Sequence, residues 1–210
     1  MVILGLDTTG PQCSVSIVDQ ARIRAHISVP MMRGHAEALA PMVANALDAA
    51  KLSSVDIDKI AVCTGPGSFT GLRVALSFAK GFALPRKLPV IGLSSLEVWA
   101  ASADPENTQN IVCISDVRRG ELCWAPIFNG KLLAAPITQP AEAARAAIAK
   151  LGPDQIIEDA IADTRVLAWL AADLMPDTHP AQPLYSRGPD AKLPSKKPKA
   201  KTQHRVKRSS

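Results

Sequence analysis

Residues 59–74 read Lys59-Ile60-Ala61-Val62-Cys63-Thr64-Gly65-Pro66-Gly67-Ser68-Phe69-Thr70-Gly71-Leu72-Arg73-Val74. An apolar run, a glycine-rich loop and the start of a helical pattern follow without a break. That order predicts a buried strand over 59–64, a tight loop, and a helix over about 71–84. A strand feeding a helix this way is the local unit of an α/β protein. Such a loop can cradle phosphate with backbone N–H groups at the helix N-terminus. The residues here break the two patterns that would add chemistry to it. Leu72 stands where the phosphate-binding pattern needs Lys after Gly71, and Pro66 stands where a nucleophile elbow needs Gly before Ser68. The plain alternative is a tight turn capped by Ser68 or Thr70, with Gly71 allowing close packing.

Upstream, residues 2–6, 13–18 and 22–29 are short apolar or alternating runs. They predict three strands in a meander, joined by turns at Gly10-Pro11 and Asp19-Gln20. A helix follows from about His35 to Lys51, with Leu39, Met42, Val43, Ala46, Leu47 and Ala50 on one stripe. Downstream, Val90–Gly92 reads as a strand and Ser94 as the N-cap of a helix. From Asn110 the pattern restarts: strand, an Asp116-Val117-Arg118-Arg119-Gly120 turn, strand, and an Asn129-Gly130 hairpin. Helices over 140–151 and 163–175 flank a strand near 155–158. Both halves open with a strand, an Asp-containing turn and a further strand. Two related α/β lobes are therefore expected: 1–104, and a smaller one over 105–175. Residues 176–191 read as an extended closing segment, and 192–210 as a disordered basic tail.

The chain has 210 residues, 47% of them hydrophobic, and a net charge of +5. It is long enough for a core without disulfides or metal staples. Residues 187–210 carry nine of the 24 Lys and Arg but one of the 19 Asp and Glu. The tail is thus +8 and the remainder −3, an acidic body with a basic arm rather than a globally basic nucleic-acid binder. Aromatic residues make up 4%, which makes stacking platforms for single-stranded bases hard to build. No run is long and apolar enough to span a membrane, and the first residues do not resemble a secretory signal, so a cytoplasmic location is expected. Cys13, Cys63, Cys113 and Cys123 lie in separate strand-like contexts and are expected to be buried free thiols.

Three groups of residues are candidates for chemistry. Asp7, Thr8 and Thr9 end the first strand. A carboxylate with two hydroxyls there can hold a metal–nucleotide phosphate, or can simply start a hairpin as an Asx turn. His35 opens the first helix, but a metal site on a helix face wants a second His at i+4, and that position is Leu39. No metal is expected. The third group is the second helix. Leu72, Ala75, Leu76 and Ala79 form one apolar face, and Val74, Phe78 and Phe82 form another. A helix apolar nearly all round must be covered on both sides. Leu72, Val74, Leu76, Phe78 and Phe82, with Ala36, Ala40 and Ala44 of the first helix, are the expected partner interface.

These blocks carry a family resemblance. Ile3-Leu4-Gly5-Leu6-Asp7-Thr8-Thr9, Cys13-Ser14-Val15-Ser16, Gly34-His35-Ala36-Glu37 with Leu39, and above all Gly65–Val74 are similar to the TsaB (YeaZ) family. Asp116–Glu121 and Pro183-Leu184-Tyr185-Ser186-Arg187 match its second-lobe turn and closing segment. The resemblance implies a two-lobed actin/sugar-kinase-like (ASKHA) α/β fold. It implies a non-catalytic subunit in the making of N6-threonylcarbamoyladenosine in tRNA. Its partners would be a TsaD-type transferase, which holds the metal, and a TsaE-type ATPase, with tRNA met through the complex. No cofactor is expected on the chain alone, and ATP or ADP is left to the complex. Without its partner the same face is expected to pair with itself as a homodimer. Two alternatives are a stand-alone ATP-binding phosphotransferase or ATPase of the sugar-kinase type, and an RNA-binding module acting through the tail.

Overall fold

The computed structural model describes residues 1–20 and 22–185. Val2–Asp7 (β1), Gln12–Asp19 (β2) and Arg22–Pro30 (β3) form the antiparallel meander read from their alternation. His35–Ala50 (α1) crosses to Lys59–Cys63 (β4), and Phe69–Ala83 (α2) crosses to Val90–Leu93 (β5). β4 lies parallel to both β1 and β5, giving the sheet order β3-β2-β1-β4-β5. The residues of β1, β4 and β5 are largely apolar on both sides, where both faces of the sheet are covered, whereas β3 at the edge is mostly exposed. Leu4, Leu6, Val15, Ile17, Ile60 and Val62 face α1 and α2. Ile3, Val18, Ala61 and Cys63 face the opposite way, into a second core.

The second half repeats the plan. Asn110–Asp116 (β6), Glu121–Phe128 (β7) and Lys131–Leu132 (β8) form a meander. Ile137–Pro140 (β9) adds to β7, and Ala141–Leu151 (α4) crosses to Gln155–Glu158 (β10), which lies parallel to β6. The order β10-β6-β7-β8 reproduces β4-β1-β2-β3 of the first sheet. Ser95–Ala103 (α3) and Thr164–Leu170 (α5) pack between the two sheets, and α4 covers the outer face of the second. Five layers result: α1 and α2, sheet, α3 and α5, sheet, α4.

Local chemistry explains the junctions. Ser94 caps α3 and Glu97 reaches back to its backbone N–H, a complete capping box. Lys59 is buried, and its ammonium donates to the carbonyls of Ala171, Ala172 and Leu174 at 3.0, 2.6 and 3.0 Å. That cation gathers backbone carbonyls just past the C-terminal end of α5, where a positive charge also suits the helix dipole. The expected helix over 163–175 stops at Leu170, and the turns that follow it over 171–173 present these carbonyls to Lys59. Residues 176–179 turn rather than extend. Pro180 then bridges to Ile91 at the β5 edge, and Leu184 N–H donates to the Thr64 carbonyl. The basic tail and the rest of the closing segment lie outside the described residues. Among the described residues all four cysteines are free and buried, and no helix is long and apolar enough to cross a membrane.

Candidate functional site

The turn after β1 is folded onto the glycine-rich loop. Asp7 and Thr8 are fully buried and Thr9 nearly so. Asp7 Oδ1 accepts the Thr9 backbone N–H at 2.9 Å and the Thr9 hydroxyl at 2.7 Å, which is an Asx turn. The Thr8 hydroxyl donates to the Gly71 carbonyl at 2.6 Å, and Ser68 N–H donates to the Thr9 carbonyl at 2.8 Å. Ser95 joins the two sides: its N–H donates to the Gly65 carbonyl, its hydroxyl to the Pro66 carbonyl, and that hydroxyl lies 3.4 Å from the Thr9 hydroxyl. The glycines are required by this closeness. A Cβ at position 67 would stand 2.6 Å from the Thr9 carbonyl oxygen, and one at 71 would run into that of Thr8. The structure thus places Asp7, Thr8 and Thr9 together, but as the inner half of a packed turn.

Two atoms of this region are left over. Asp7 Oδ2 and His35 Nε2 are buried with no hydrogen-bond partner among the described residues. Burial pushes the Asp7 carboxyl above the usual carboxylate range, against the Thr9 hydrogen bonds, the nearby Cys63 thiol and the His35 charge. Burial likewise pushes the neighbouring Cys63 thiol well up and the Cys13 thiol up to about 11. None is poised as a nucleophile near neutral pH. Leu39, one turn after His35, is 1% exposed and belongs to the core under α1. Among the described residues no group of three or more His, Cys, Asp or Glu side chains is placed to hold a metal ion.

The outer face of α1 and α2 is the other candidate. The structure separates the expected interface residues into three sets. Leu72 and Leu76 are 2% and 5% exposed, closed in by the chain itself, so they do not belong to an available surface. Leu76 packs in the core between α2 and the sheet, and Leu72 stands against Gly65 of the loop. Val74, Phe78 and Phe82 are half-buried, and the Phe78 and Phe82 rings lie 5.9 Å apart. Ala36, Ala40 and Ala44 are exposed along α1. Between the helices runs an open groove of about 320 Å³, lined by Ala36, Leu39, Arg73, Val74, Ser77 and Phe78. Small residues on one wall and aromatic rings on the other leave an apolar seam facing solvent. Sequence reasoning missed Ser95 as the clasp of the turn. It also missed the contact of Phe69 with Tyr185, residues remote in sequence and joined only by the closing segment.

Two sheets of matching strand order, with helices between and outside them, define a two-lobed α/β protein of the actin/sugar-kinase type. Comparisons narrow this further. The family model described as TsaD, tRNA N6-adenosine threonylcarbamoyltransferase, matches residues 28–171. The TsaB protein of Escherichia coli is 37% identical over 126 residues, which are 60% of this chain and 54% of that one. The TsaB protein of Haemophilus influenzae is 32% identical over 133 residues, 63% of this chain and 56% of that one. The match thus spans about half the length of these curated relatives. A solved structure, YeaZ from Pseudomonas aeruginosa, superposes with a TM-score of 0.70 at 25% identity, covering 88% of this chain and 99% of that one. The chain belongs to the family of the threonylcarbamoyltransferase model, and the relatives it is similar to within it are TsaB (YeaZ) proteins.

Proposed function

We propose that this chain acts in the biosynthesis of tRNA threonylcarbamoyladenosine as a non-catalytic subunit that binds and supports a TsaD-type transferase. The observation that carries this reading is the uncovered α1/α2 seam of Val74, Phe78, Phe82 and the three alanines. Apolar surface of this kind gains by being buried against a partner, at about 25 cal/mol per Å². The committed state of Asp7, Thr8 and Thr9 supports the non-catalytic part. Asp7 Oδ1 and the Thr8 and Thr9 hydroxyls are bonded inside the chain, the whole Asp7 side chain is buried, and position 39 is a core leucine. A stand-alone phosphotransferase would need that carboxylate turned to a nucleotide. ATP or ADP would then act in the assembled complex, with a TsaE-type ATPase joining the pair and tRNA reached through it. Without the transferase, a second copy would cover the same seam.

Co-expression with a TsaD-type protein tests the reading. The two should co-purify, and the chain alone should turn over no ATP. Stoichiometric ATP turnover by the chain alone, abolished by Asp7→Asn, would replace it with the phosphotransferase reading.

A further inference from the structure

Eight residues in 210 are Phe, Trp or Tyr, and two of them are spent on each other in the open. Phe69 is 53% exposed and Tyr185, the single tyrosine, is 47% exposed. Their ring centroids lie 5.5 Å apart at 40°, and the Arg73 guanidinium sits 3.8 Å from the Phe69 centroid. The patch is built rather than incidental. Phe69 is the first residue of α2, held by the Ser68 cap, and the Leu184–Thr64 backbone bond brings Tyr185 to it. No acidic residue lies in the first turn of α2. The patch adjoins the α1/α2 groove and shares Arg73 with it, while Phe69 and Tyr185 lie outside the groove.

The geometry points to a stacking site for an unpaired nucleobase of single-stranded RNA, made by Phe69, Tyr185 and Arg73. Aromatic faces beside an arginine are the means by which proteins hold unpaired bases, and the cation offers a contact to phosphate. The charge argues for a polyanion. The basic arm of the chain, nine Lys and Arg against one Asp from 187 onward, begins two residues after Tyr185. A protein partner of ordinary composition has no special use for that charge, whereas a nucleic acid releases counterions on meeting it. The choice of RNA over DNA rests on the tRNA-modification reading above. The stacking itself does not.

A labelled single-stranded oligoadenylate, titrated into the full chain at low salt and followed by fluorescence anisotropy, tests the site. Phe69→Ala and Tyr185→Ala should each weaken binding about tenfold or more. Tyr185→Phe should keep the affinity, because it keeps the ring. Both Ala variants should still co-purify with the transferase partner. Unchanged oligonucleotide affinity in both Ala variants would overturn the proposal, as would an oligoadenylate that the wild chain does not bind. Loss of co-purification with unchanged RNA affinity would also overturn it and assign the patch to a protein interface. Failure of the transferase reading shows separately, as no co-purification of the unaltered chain.

Discussion

Gly71 and Thr8, 63 residues apart, are locked together: the Thr8 hydroxyl donates to the Gly71 carbonyl, and the Gly71 α-carbon lies against the Thr8 backbone. The start of α2 is thereby fixed to the end of β1, and the α1/α2 seam to the first sheet. Gly71→Ala should therefore destabilise the fold by roughly 2–4 kcal/mol, since neither backbone can give way. Gly81, on the exposed side of the same helix, has open space around it. Gly81→Ala should instead add about 0.5–1 kcal/mol. Urea denaturation of the pair checks both. Equal effects would mean that helix propensity, not the Thr8 contact, governs position 71.

Neighbouring residues of α2 should respond oppositely to charge. Leu76→Arg puts an unpaired cation in the core and should yield unfolded or insoluble protein, a cost of several kcal/mol. Phe78→Arg can lay its stem in the groove with the guanidinium in water, so it should remain folded. It should nevertheless lose co-purification with the transferase partner. Circular dichroism and a pull-down separate the outcomes, and a folded Phe78→Arg chain that still binds normally would move the interface elsewhere.

Lys59→Met removes three charged hydrogen bonds to the end of α5 while keeping most of the stem's packing. A loss of roughly 2–3 kcal/mol is expected in chemical denaturation. A change below about half a kcal/mol would show that water replaces the ammonium without cost.

Asp7 should make the fold less stable as pH rises. Its carboxyl titrates above the usual range when folded. Below the unfolded-state value both states are protonated and nothing is lost. As pH climbs past that value the unfolded state releases its proton first, so stability falls until the folded value is passed. Asp7→Asn can accept the same two Thr9 hydrogen bonds at Oδ1 and carries no charge. Its stability advantage over the wild chain should therefore be larger at about pH 7 than at about pH 4, where it should be small. Groups common to both chains, such as Asp163 and Glu158, cancel in the comparison. A gap that does not change with pH would mean that Asp7 stays ionised in the core.

Most elements were legible because their signals are local. The alternation in β2, the capping residues of α3 and the apolar stripe of α1 each lie within a few residues. β9 was not foreseen. Its Ile137-Thr138-Gln139-Pro140 carries one large apolar side chain and ends in proline, and it is a strand only because β7 pairs with it. The end of α5 is not visible in the sequence either: apolar periodicity continues past Leu170, while in the fold the chain turns over 171–173 and meets Lys59, remote in sequence. At the candidate sites, the missing second histidine at Leu39 was plain. The Asx turn at Asp7 is one of two readings the sequence allows, and the Thr9 hydrogen bonds form it in the fold.

By itself, the sequence determined the element types, the two-lobed α/β plan, the glycines that a close turn needs, and an α2 helix with two apolar faces. Periodicity states that a face is apolar, not what will lie opposite it. Only the tertiary structure decided that Leu72 and Leu76 turn inward while Val74, Phe78 and Phe82 remain partly at the surface. Only the packing of the two sheets placed α5, from the second half of the chain, against β1 of the first, where Gly5 leaves room for the Thr164 carbonyl. Contacts between segments far apart are set by burying the most apolar area at once, and no window of local sequence contains that sum.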